Sequence, residues 1–290
     1  MITREQELMS RHTSFKVGGP ARFYLIPENE GEVCEALDFA DVRQLPFMIV
    51  GNGSNLLVAD SGYQGVVIEI GEQLSDFSVA EGGLVTVGAG MRLTAMASRL
   101  AGLGLAGFEF AGGIPGTVGG GITMNAGAYG GEIKDCLKEI TVMTSAGERK
   151  VVKAEDLQLS YRHSILQEKD WVVLSATFAF EQGDPEAIRE QIRELNEKRR
   201  EKQPLEYPSA GSTFKRPEGH FAGKLIEDAG LRGYAVGDAQ VSEKHCGFVV
   251  NLGEATATQV YELIEHVQGV VKEKFGVELE PEVRLIGDFL

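Results

Sequence analysis

The stretch from Ala111 to Gly131 reads AGGIPGTVGGGITMNAGAYGG, and we call it the glycine-rich stretch. A shorter run from Val50 to Val58 reads VGNGSNLLV, and we call it the first loop. Because glycine has no Cβ, such a backbone can turn sharply and come close to a ligand. Successive N–H groups along it form a concave nest for anionic oxygens. Two nests in one chain indicate a ligand with an extended diphosphate.

Composition and charge limit the function classes. Of 290 residues, 43% are hydrophobic and 37 are glycine, and this glycine content is about twice the usual share. The formal net charge of −15 disfavours a nucleic-acid or membrane-surface binder, because such binding needs a basic face. The chain has neither an apolar run of about 18 residues nor the apolar centre of a signal peptide at its start. We therefore expect a cytoplasmic enzyme.

Cysteine and histidine spacing favours no metal or disulfide chemistry. The three cysteines are scattered, without a C-x-x-C pair, and the five histidines lack a spacing such as H-E-x-x-H. We predict no metal site.

Breaks in the hydrophobic pattern divide the chain into three predicted segments, residues 1–75, 76–202 and 203–290. The last boundary follows a strong helix pattern that starts at Pro185, a residue suited to the first helical position, and that Pro204 and Pro208 interrupt. Predicted helices cover residues 30–39, 93–103, 118–125, 185–202, 222–229 and 258–275. Predicted strands cover residues 47–50, 66–70, 84–87, 139–144, 150–152, 171–180, 247–251 and 282–286.

Two further glycine motifs do not predict nucleotide binding. The run from Gly102 to Gly107 fits G-x-G-x-x-G, but it follows a predicted helix, whereas the dinucleotide fingerprint follows a strand. We interpret it as a helix C-cap and turn. The run from Gly219 to Leu225 fails the Walker A pattern in its glycine spacing and in its last residue.

Six short motifs follow one another between Arg11 and Gly287. They are HTSFKVGG at 12–19, the first loop, GIPGTVGGGITMNAGAYG at 113–130, SYR at 160–162, AGSTF at 210–214 and EPEVR at 280–284. In this order they resemble the UDP-N-acetylenolpyruvoylglucosamine reductase family. The resemblance implies an α+β fold: an FAD-binding fold of the vanillyl-alcohol-oxidase type in two subdomains, followed by a C-terminal α+β substrate domain.

The resemblance also implies non-covalent FAD, held by main-chain N–H groups of the two glycine-rich regions. The matching positions in the first loop are Gly51, Asn52, Gly53, Ser54 and Asn55. Those in the glycine-rich stretch are Gly113, Gly116, Gly119, Asn125 and Gly127. A short helix predicted at residues 118–125 would aim its N-terminus at a phosphate. For each glycine, a plain turn stays open as the alternative.

The family reaction reduces the enolpyruvyl double bond of UDP-N-acetylglucosamine enolpyruvate to give UDP-N-acetylmuramate, in peptidoglycan precursor synthesis. NADPH reduces FAD and leaves, and reduced FAD then transfers hydride to the vinyl β-carbon. Negative charge moves into the neighbouring carboxylate, and a proton must reach the α-carbon.

Three residues match the catalytic positions of the family. Arg162 would stabilise the charge that develops on the carboxylate, and Glu282 would be a second polarising group, protonated or sharing a proton. Ser212 would donate the proton to the α-carbon. A surface Arg–Glu pair and a turn serine are the alternatives that the residues alone leave open.

Basic residues of the third segment are candidates for substrate contacts. The sequence between Arg199 and Lys244 contains eight basic and seven acidic residues, whereas the rest of the chain is strongly acidic. We predict that the diphosphate meets Lys202, Lys215, Arg216 and Lys224, and that Tyr161 stacks on the substrate or bonds to it. Solvated surface charge is the rival interpretation for each basic residue. The short connection between residues 180 and 185 indicates the family's shorter subtype, without the extra loop whose tyrosine closes over UDP.

Two other functions remain open. An oxidase of the same flavin fold would use oxygen and an alcohol or lactone. A silent UDP-sugar sensor would keep only the pocket, and the joint presence of Arg162, Ser212 and Glu282 argues against it.

Overall fold

The computed structural model describes residues 1–289, which form six α-helices and eighteen β-strands. The strands are β1 (Ile2–Leu8), β2 (Pro20–Ile26), β3 (Phe47–Val50), β4 (Leu56–Val58), β5 (Tyr63–Glu69), β6 (Phe77–Val79), β7 (Leu84–Gly88), β8 (Leu105–Ala106), β9 (Gly127–Ala128), β10 (Gly131–Glu132), β11 (Leu137–Thr144), β12 (Arg149–Lys153), β13 (Trp171–Ala179), β14 (Glu181–Gln182), β15 (Ala235–Val236), β16 (Ala239–Val241), β17 (Val249–Asn251) and β18 (Arg284–Ile286). The helices are α1 (Glu30–Val42), α2 (Leu93–Leu103), α3 (Val118–Thr123), α4 (Pro185–Lys202), α5 (Ala222–Asp228) and α6 (Ala257–Phe275).

Two compact units share the chain. The first unit contains Met1–Arg4, Phe23–Asn52 and Gly65–Arg199. The second contains Glu5–Arg22, Gly53–Gln64 and the residues from Arg200 onward. Two short N-terminal segments thus group with the C-terminal part, while the division into three contiguous segments stays a prediction.

The first unit contains one complete large sheet and part of another. A five-stranded antiparallel sheet has the order β12-β11-β13-β7-β6, and a four-stranded sheet has the order β1-β2-β5-β3 with β3 parallel to β5. Valine and isoleucine fill the central strands, as in the fully buried Val172 and Val85, because β-branched side chains pack well on a pleated surface. Helix α2 adds Leu93, Met96 and Leu100 to the same core.

Local signals set the helix ends in this unit. The Asn29 side chain accepts a hydrogen bond from the Glu32 N–H (3.0 Å) and caps α1. Helix α2 ends at Gly104, whose φ of +68° is left-handed. The interpretation of the run from Gly102 to Gly107 as a helix C-cap is therefore confirmed at Gly104, whereas Leu105 and Ala106 form the short strand β8.

The second unit has its own core. Strands β15, β16 and β17 form an antiparallel sheet, and β4 pairs in parallel with β18. Helix α6 starts with a capping box between Thr256 and Gln259, and the Asp60 carboxylate accepts from the N–H groups of Ala257 and Thr258, both at 2.9 Å. Its apolar face, with Val260, Leu263, Ile264 and Val267 fully buried, packs into this core. No helix within residues 1–289 is both long and apolar enough to span a bilayer.

Candidate active site

The first loop follows strand β3, and its second residue, Gly51, packs against Thr117 of the glycine-rich stretch. A Cβ added to Gly51 would lie 2.1 Å from Oγ1 of Thr117, the residue that caps α3. Only glycine allows this approach, so Gly51 has a packing role besides any ligand contact. The next residue, Asn52, is exposed.

Gly53 continues the loop into the second unit. Its φ is +56°, and a Cβ there would lie 1.9 Å from the carbonyl oxygen of His12. The Gly53 carbonyl accepts from the N–H of Ser14 (3.2 Å). Among the described residues of this unit, the N–H groups of Gly53 and Ser54 have no main-chain acceptor. They are therefore donors suited to anionic oxygens.

Asn55, the last predicted cofactor residue of the first loop, is bonded to the segment that carries Glu282. Its side-chain amide donates to the Glu282 carbonyl (3.0 Å), and its own carbonyl accepts from the Arg284 N–H (2.9 Å). The Glu282 N–H donates to the carbonyl of Thr213, the neighbour of Ser212, at 2.8 Å. The second unit therefore brings together the end of the first loop and two predicted catalytic positions, although they lie far apart in sequence.

Ser212 lies in a segment whose conformation is set by its neighbours. Gly211 has a φ of +77°, in the left-handed region that glycine tolerates. Thr213 is 1% exposed; its N–H donates to the Gly247 carbonyl (2.8 Å), and its Oγ1 accepts from the Val249 N–H (2.9 Å). All polar groups of Thr213 are thus engaged within the protein, and they fix the backbone that carries Ser212.

The glycine-rich stretch uses most of its N–H groups internally. At the start of α3, the N–H groups of Val118 and Gly119 donate to the carbonyls of Met91 (2.8 Å) and Ala89 (2.9 Å). The Gly116 carbonyl accepts from the first residue of α2 at 2.9 Å. A phosphate at this helix N-terminus would have to use other donors, and the predicted placement of a phosphate there stays a prediction.

Asn125 follows α3 and is 1% exposed, with a φ of +40°. Its amide nitrogen donates to Glu132 Oε2 (2.9 Å) and to the Ser160 carbonyl (3.0 Å), and its amide oxygen accepts from the Lys134 N–H (3.0 Å). The Lys134 ammonium, 2.7 Å from Glu132, lowers the pKa of that carboxyl below its usual value. The Asn125 side chain is therefore committed to the protein, and its N–H donates to the Ile122 carbonyl (3.0 Å). Its predicted FAD contact stays a prediction.

Arg162 occupies a tight turn from Ser160 to His163, which we call the Arg162 turn. The N–H of each end residue donates to the carbonyl of the other, at 3.1 and 3.2 Å, and Arg162 has a φ of +54°. Non-glycine residues adopt this left-handed backbone conformation rarely, and those that do are often found at functional sites. The guanidinium lies 5.2 Å from the ring of Tyr161, and Nη2 lies 3.5 Å from the Gly127 carbonyl oxygen.

Side chains tie the Arg162 turn to the C-terminal end of α3. The amide of Gln167 donates to the carbonyls of Arg162 (3.0 Å) and Thr123 (2.9 Å). The buried Ser164 hydroxyl donates to the same Thr123 carbonyl at 2.7 Å. Because a helix C-terminus presents unpaired carbonyls, these donors find acceptors there.

Gly113 packs against helix α4 and against a basic residue that sequence reasoning missed. A Cβ on Gly113 would lie 3.2 Å from Cδ and 3.4 Å from Nη1 of Arg199. Burial lowers the pKa of the Arg199 guanidinium, and among residues 1–289 only the Tyr129 phenol opposes this shift as a neighbouring charge. A half-buried guanidinium without a carboxylate partner is suited to an anionic ligand.

A sequence signal for Arg199 existed in the apolar stripe of α4. Ile188, Ile192 and Leu195 define that stripe at helical spacing, and Arg199 continues it one turn later. A basic residue on the buried face of a helix needs a partner. The position therefore marks a candidate anion contact.

The predicted phosphate contacts in the second unit have partners within the protein. Lys215 pairs with Glu280, and Lys224 lies 2.5 Å from Asp228. The Arg216 guanidinium stacks 4.0 Å from the centre of the Phe221 ring, and Lys202 is exposed at the end of α4. Arg216 and Lys215 share a cavity of about 410 Å³ with three carboxylates. Its other lining residues are Pro217, Glu218, His220, Val277, Glu278 and Glu280. With three carboxylates against two basic side chains, this cavity gives no added support to the predicted phosphate contacts.

The residues present fit an anionic cofactor. In the second unit, the N–H groups of Gly53 and Ser54 are donors suited to phosphate oxygens. In the first unit, the Arg199 guanidinium is by itself a candidate contact for an anionic group. Residues 1–289 contain no group of three or more His, Cys, Asp or Glu side chains that could hold a metal ion.

Two parts of the chain match known families. Residues 203–286 match the family described as UDP-N-acetylenolpyruvoylglucosamine reductase, C-terminal domain. Residues 21–153 match the family described as FAD binding domain.

Whole-chain relatives give the same picture. The chain is 56% identical over 285 residues to the UDP-N-acetylenolpyruvoylglucosamine reductase of Lachnoclostridium phytofermentans, covering 97% of this chain and 92% of the relative. It is 54% identical over 296 residues to the enzyme of that name from Agathobacter rectalis, covering 98% and 94%. The crystal structure of UDP-N-acetylenolpyruvylglucosamine reductase from Thermus caldophilus superimposes with a TM-score of 0.86 at 35% identity, over 99% of this chain and 100% of that one.

Proposed function

We propose that this chain, which belongs to the UDP-N-acetylenolpyruvoylglucosamine reductase family, reduces UDP-N-acetylglucosamine enolpyruvate to UDP-N-acetylmuramate. Identities above 50% over nearly the whole chain confirm the resemblance inferred from the six motifs. The FAD-binding match and the likeness to the Thermus caldophilus structure confirm the predicted fold class.

FAD is the cofactor and NADPH the reductant in this reaction. When bound, FAD supplies the hydride that NADPH provides and that the vinyl β-carbon of the substrate receives. We assign phosphate oxygens of the cofactor to the N–H groups of Gly53 and Ser54 in the second unit. Arg199, in the first unit, is a separate candidate for an anionic contact. The remaining predicted FAD positions keep their assignment as proposals.

Arg162 and Glu282 would bind the substrate carboxylate, each from its own segment. As hydride adds to the β-carbon, the electron pair of the double bond moves into that carboxylate. The Arg162 guanidinium stabilises this charge because it remains protonated and can form two parallel hydrogen bonds. Glu282 would assist as a carboxyl that is protonated or shares a proton, since an ionised one would repel the developing charge.

Ser212 would complete the reaction by giving its hydroxyl proton to the α-carbon. A hydroxyl is a weak acid, but the electron-rich intermediate is a strong base, so placement matters more than acidity. Ser212 then recovers a proton from solvent. The product carries a methyl group at the former vinyl carbon and one new C–H bond at the α-carbon.

One observation carries the residue assignments. Asn55 of the first loop bonds to the Glu282 carbonyl, and the Glu282 N–H bonds to the carbonyl of Thr213, next to Ser212. The end of the predicted cofactor loop, the backbone of Glu282 and the residue next to Ser212 are thus joined by hydrogen bonds within the second unit. This backbone linkage supports the proposal that Glu282 and Ser212 act at one site.

The half-reactions test the activity. Anaerobic protein loaded with FAD should lose its yellow absorbance with NADPH and regain it with UDP-N-acetylglucosamine enolpyruvate. Recovery at a catalytic rate with oxygen and no enolpyruvyl substrate would favour the oxidase. Protein that cannot take up FAD would exclude both enzymes and leave the sugar sensor.

The role of Ser212 is tested by Ser212→Ala in the same experiment. Flavin reduction by NADPH should stay near the wild-type rate, whereas reoxidation by substrate should slow by about 10²–10⁴-fold. Ser209→Ala, which removes a half-buried hydroxyl three residues earlier, is the matched control and should leave both rates unchanged. Equal losses in both half-reactions would contradict the assignment of Ser212 as proton donor.

We also propose a cytoplasmic location and a role in peptidoglycan precursor synthesis, and hence in cell-wall biogenesis, cell shape and division. NADPH and a UDP-linked sugar, the two substrates, support this location. Cell fractionation followed by the NADPH-dependent assay would test it, and activity confined to the membrane fraction would contradict it.

A further inference from the structure

His245 lies in the loop between β16 and β17, and its imidazole bonds to the backbone two residues ahead. The N–H of Gly247 donates to His245 Nδ1 at 3.1 Å. An imidazole nitrogen that accepts a hydrogen bond carries no proton, so the neutral ring holds its proton on Nε2. Burial, more than any other cause, lowers the pKa of His245, which keeps the ring neutral near pH 7.

Two glycines make room for this ring. A Cβ on Gly247 would lie 2.9 Å from Cε1 of His245, and one on Gly223, at the start of α5, would lie 3.3 Å from the same carbon. On another side, the ring meets Phe248 edge to face, with ring centres 5.1 Å apart. The imidazole is therefore fixed by packing as well as by its hydrogen bond.

The loop held by His245 is the one that holds the neighbour of Ser212. The Gly247 N–H points to His245, and the Gly247 carbonyl accepts from the Thr213 N–H at 2.8 Å. The Thr213 carbonyl in turn accepts from the Glu282 N–H at 2.8 Å. One continuous path of hydrogen bonds thus runs from the imidazole, past Ser212, to Glu282.

We propose that His245 is a positioning residue for Ser212: its Nδ1 fixes Gly247, and Gly247 fixes the backbone from which the Ser212 hydroxyl projects. The inference rests on the proposed role of Ser212 as proton donor. Proton transfer to carbon depends strongly on placement, and a displacement of about 1 Å can cost about 10²-fold in rate. Loss of the Nδ1 acceptor should therefore slow the step that uses Ser212 and leave flavin reduction unchanged.

Three substitutions separate the two ring nitrogens. In His245→Asn the amide oxygen stands where Nδ1 stood and can accept from an N–H two residues ahead, as asparagine does in turns. In His245→Gln the amide reaches the position of Nε2 instead. His245→Ala removes both. The holoenzyme of each is reduced with NADPH, and reoxidation by UDP-N-acetylglucosamine enolpyruvate is followed by stopped flow, with substrate affinity measured by titration of the oxidised enzyme.

The expected result is reoxidation slowed about 10- to 100-fold in His245→Ala and His245→Gln, rescue to within a few-fold in His245→Asn, and unchanged flavin reduction in all three. Adding His245→Ala to Ser212→Ala should slow reoxidation no further, because residues that act as a unit are not additive. Rescue by His245→Gln, with loss of substrate affinity in His245→Asn, would instead place Nε2 on the substrate and overturn the proposal. Equal losses in His245→Ala and His245→Asn would also overturn it.

The variants test the role of Ser212 as proton donor separately from the role of His245 as positioning residue. If Ser212→Ala alone reoxidises at the wild-type rate, the proton-donor assignment is wrong. If Ser212→Ala is slow but His245→Asn behaves like His245→Ala, only the positioning role is wrong.

Discussion

The Arg162 turn and the segment around Ser212 are held by different kinds of hydrogen bond. Side-chain amides and a hydroxyl, from Asn125, Gln167 and Ser164, bind the backbone of the Arg162 turn and the end of α3. The segment around Ser212 is held mainly by main-chain bonds from Thr213 to Gly247 and Glu282. A substitution can therefore loosen the Arg162 turn without altering its backbone partners, whereas few side chains can be changed to loosen the other segment.

The largest effect should come from the guanidinium itself. Arg162→Ala should slow reoxidation of the reduced enzyme by substrate about 10³-fold, the scale expected when a donor to developing charge is lost. Arg162→Lys keeps the charge but not the fork of donors, so we expect only partial recovery. Rapid-mixing absorbance of the flavin measures both half-reactions.

The control for this change is Arg189→Ala, an exposed arginine of α4 paired with Glu186. It should leave both rates unchanged. A fall in NADPH oxidation as large as the fall in reoxidation would move Arg162 out of the substrate step and into cofactor binding.

Asn125 should show the dependence of the Arg162 turn on side chains. Asn125→Gly tolerates the left-handed φ of +40° but removes three hydrogen bonds, so we expect a loss of about 3 kcal/mol in unfolding free energy and slower reoxidation. Asn125→Asp would place a second carboxylate beside Glu132 and should be worse. Urea denaturation and FAD titration measure the two effects.

The affinity for FAD shows whether the Asn125 amide holds the protein backbone or contacts the cofactor. Because the amide is committed to the protein, FAD should bind to Asn125→Gly nearly as tightly as to the wild type. An FAD dissociation constant that rises more than the reoxidation rate falls would show that the side chain serves the cofactor.

Thr213 should be the sensitive side chain of the other segment. Thr213→Val removes the acceptor of the buried Val249 N–H, and an unsatisfied buried donor costs about 1–3 kcal/mol. Thr213→Ser keeps the hydroxyl and should recover most of that stability. Thermal unfolding of the two variants makes the comparison. A Thr213→Val protein that unfolds at the wild-type temperature would contradict the role of the hydroxyl, because valine keeps the methyl group and lacks only the acceptor.

The parts of this molecule that depend on local sequence were predictable. Helix α4 has the predicted bounds, Pro185–Lys202, and α2 has the predicted Leu93–Leu103, because start signals and apolar spacing lie within each segment. Strand β1, ITREQEL, was missed, since six of its seven residues are exposed and it lacks an alternating apolar pattern. Chemistry in the family motifs pointed to Ser212 and Glu282, but no local rule predicts a hydrogen bond from Glu282 to Thr213.

The structural role of each individual glycine could not be predicted from the sequence either. Composition indicates that glycine matters in the first loop and in the glycine-rich stretch, but the same residue serves opposite purposes. The N–H of Gly53 has no main-chain acceptor among the described residues of its unit, whereas the N–H of Gly119 donates to the Ala89 carbonyl. A Cβ on Gly119 would lie 3.1 Å from the Ala89 side chain. Only the tertiary contacts distinguish a donor available to a ligand from one used for packing.

The smallest effect on stability, and the clearest test of the predicted substrate contacts, concerns Lys224. Its exposed pair with Asp228 has a match in α4, where Lys198 and Glu194 have the same spacing of four residues. Because solvent screens exposed ion pairs and they contribute little to stability, Lys224→Ala and Lys198→Ala should lower the unfolding free energy by similar small amounts. If Lys224 binds the diphosphate, only Lys224→Ala should also raise KM for the UDP substrate, by about tenfold or more, since a charge-assisted hydrogen bond is worth about 1.5–3 kcal/mol. Equal KM values for the two variants would show that Lys224 is an ordinary solvated charge. The comparison between the Arg162 turn and the segment around Ser212 would then depend only on the residues that hold them.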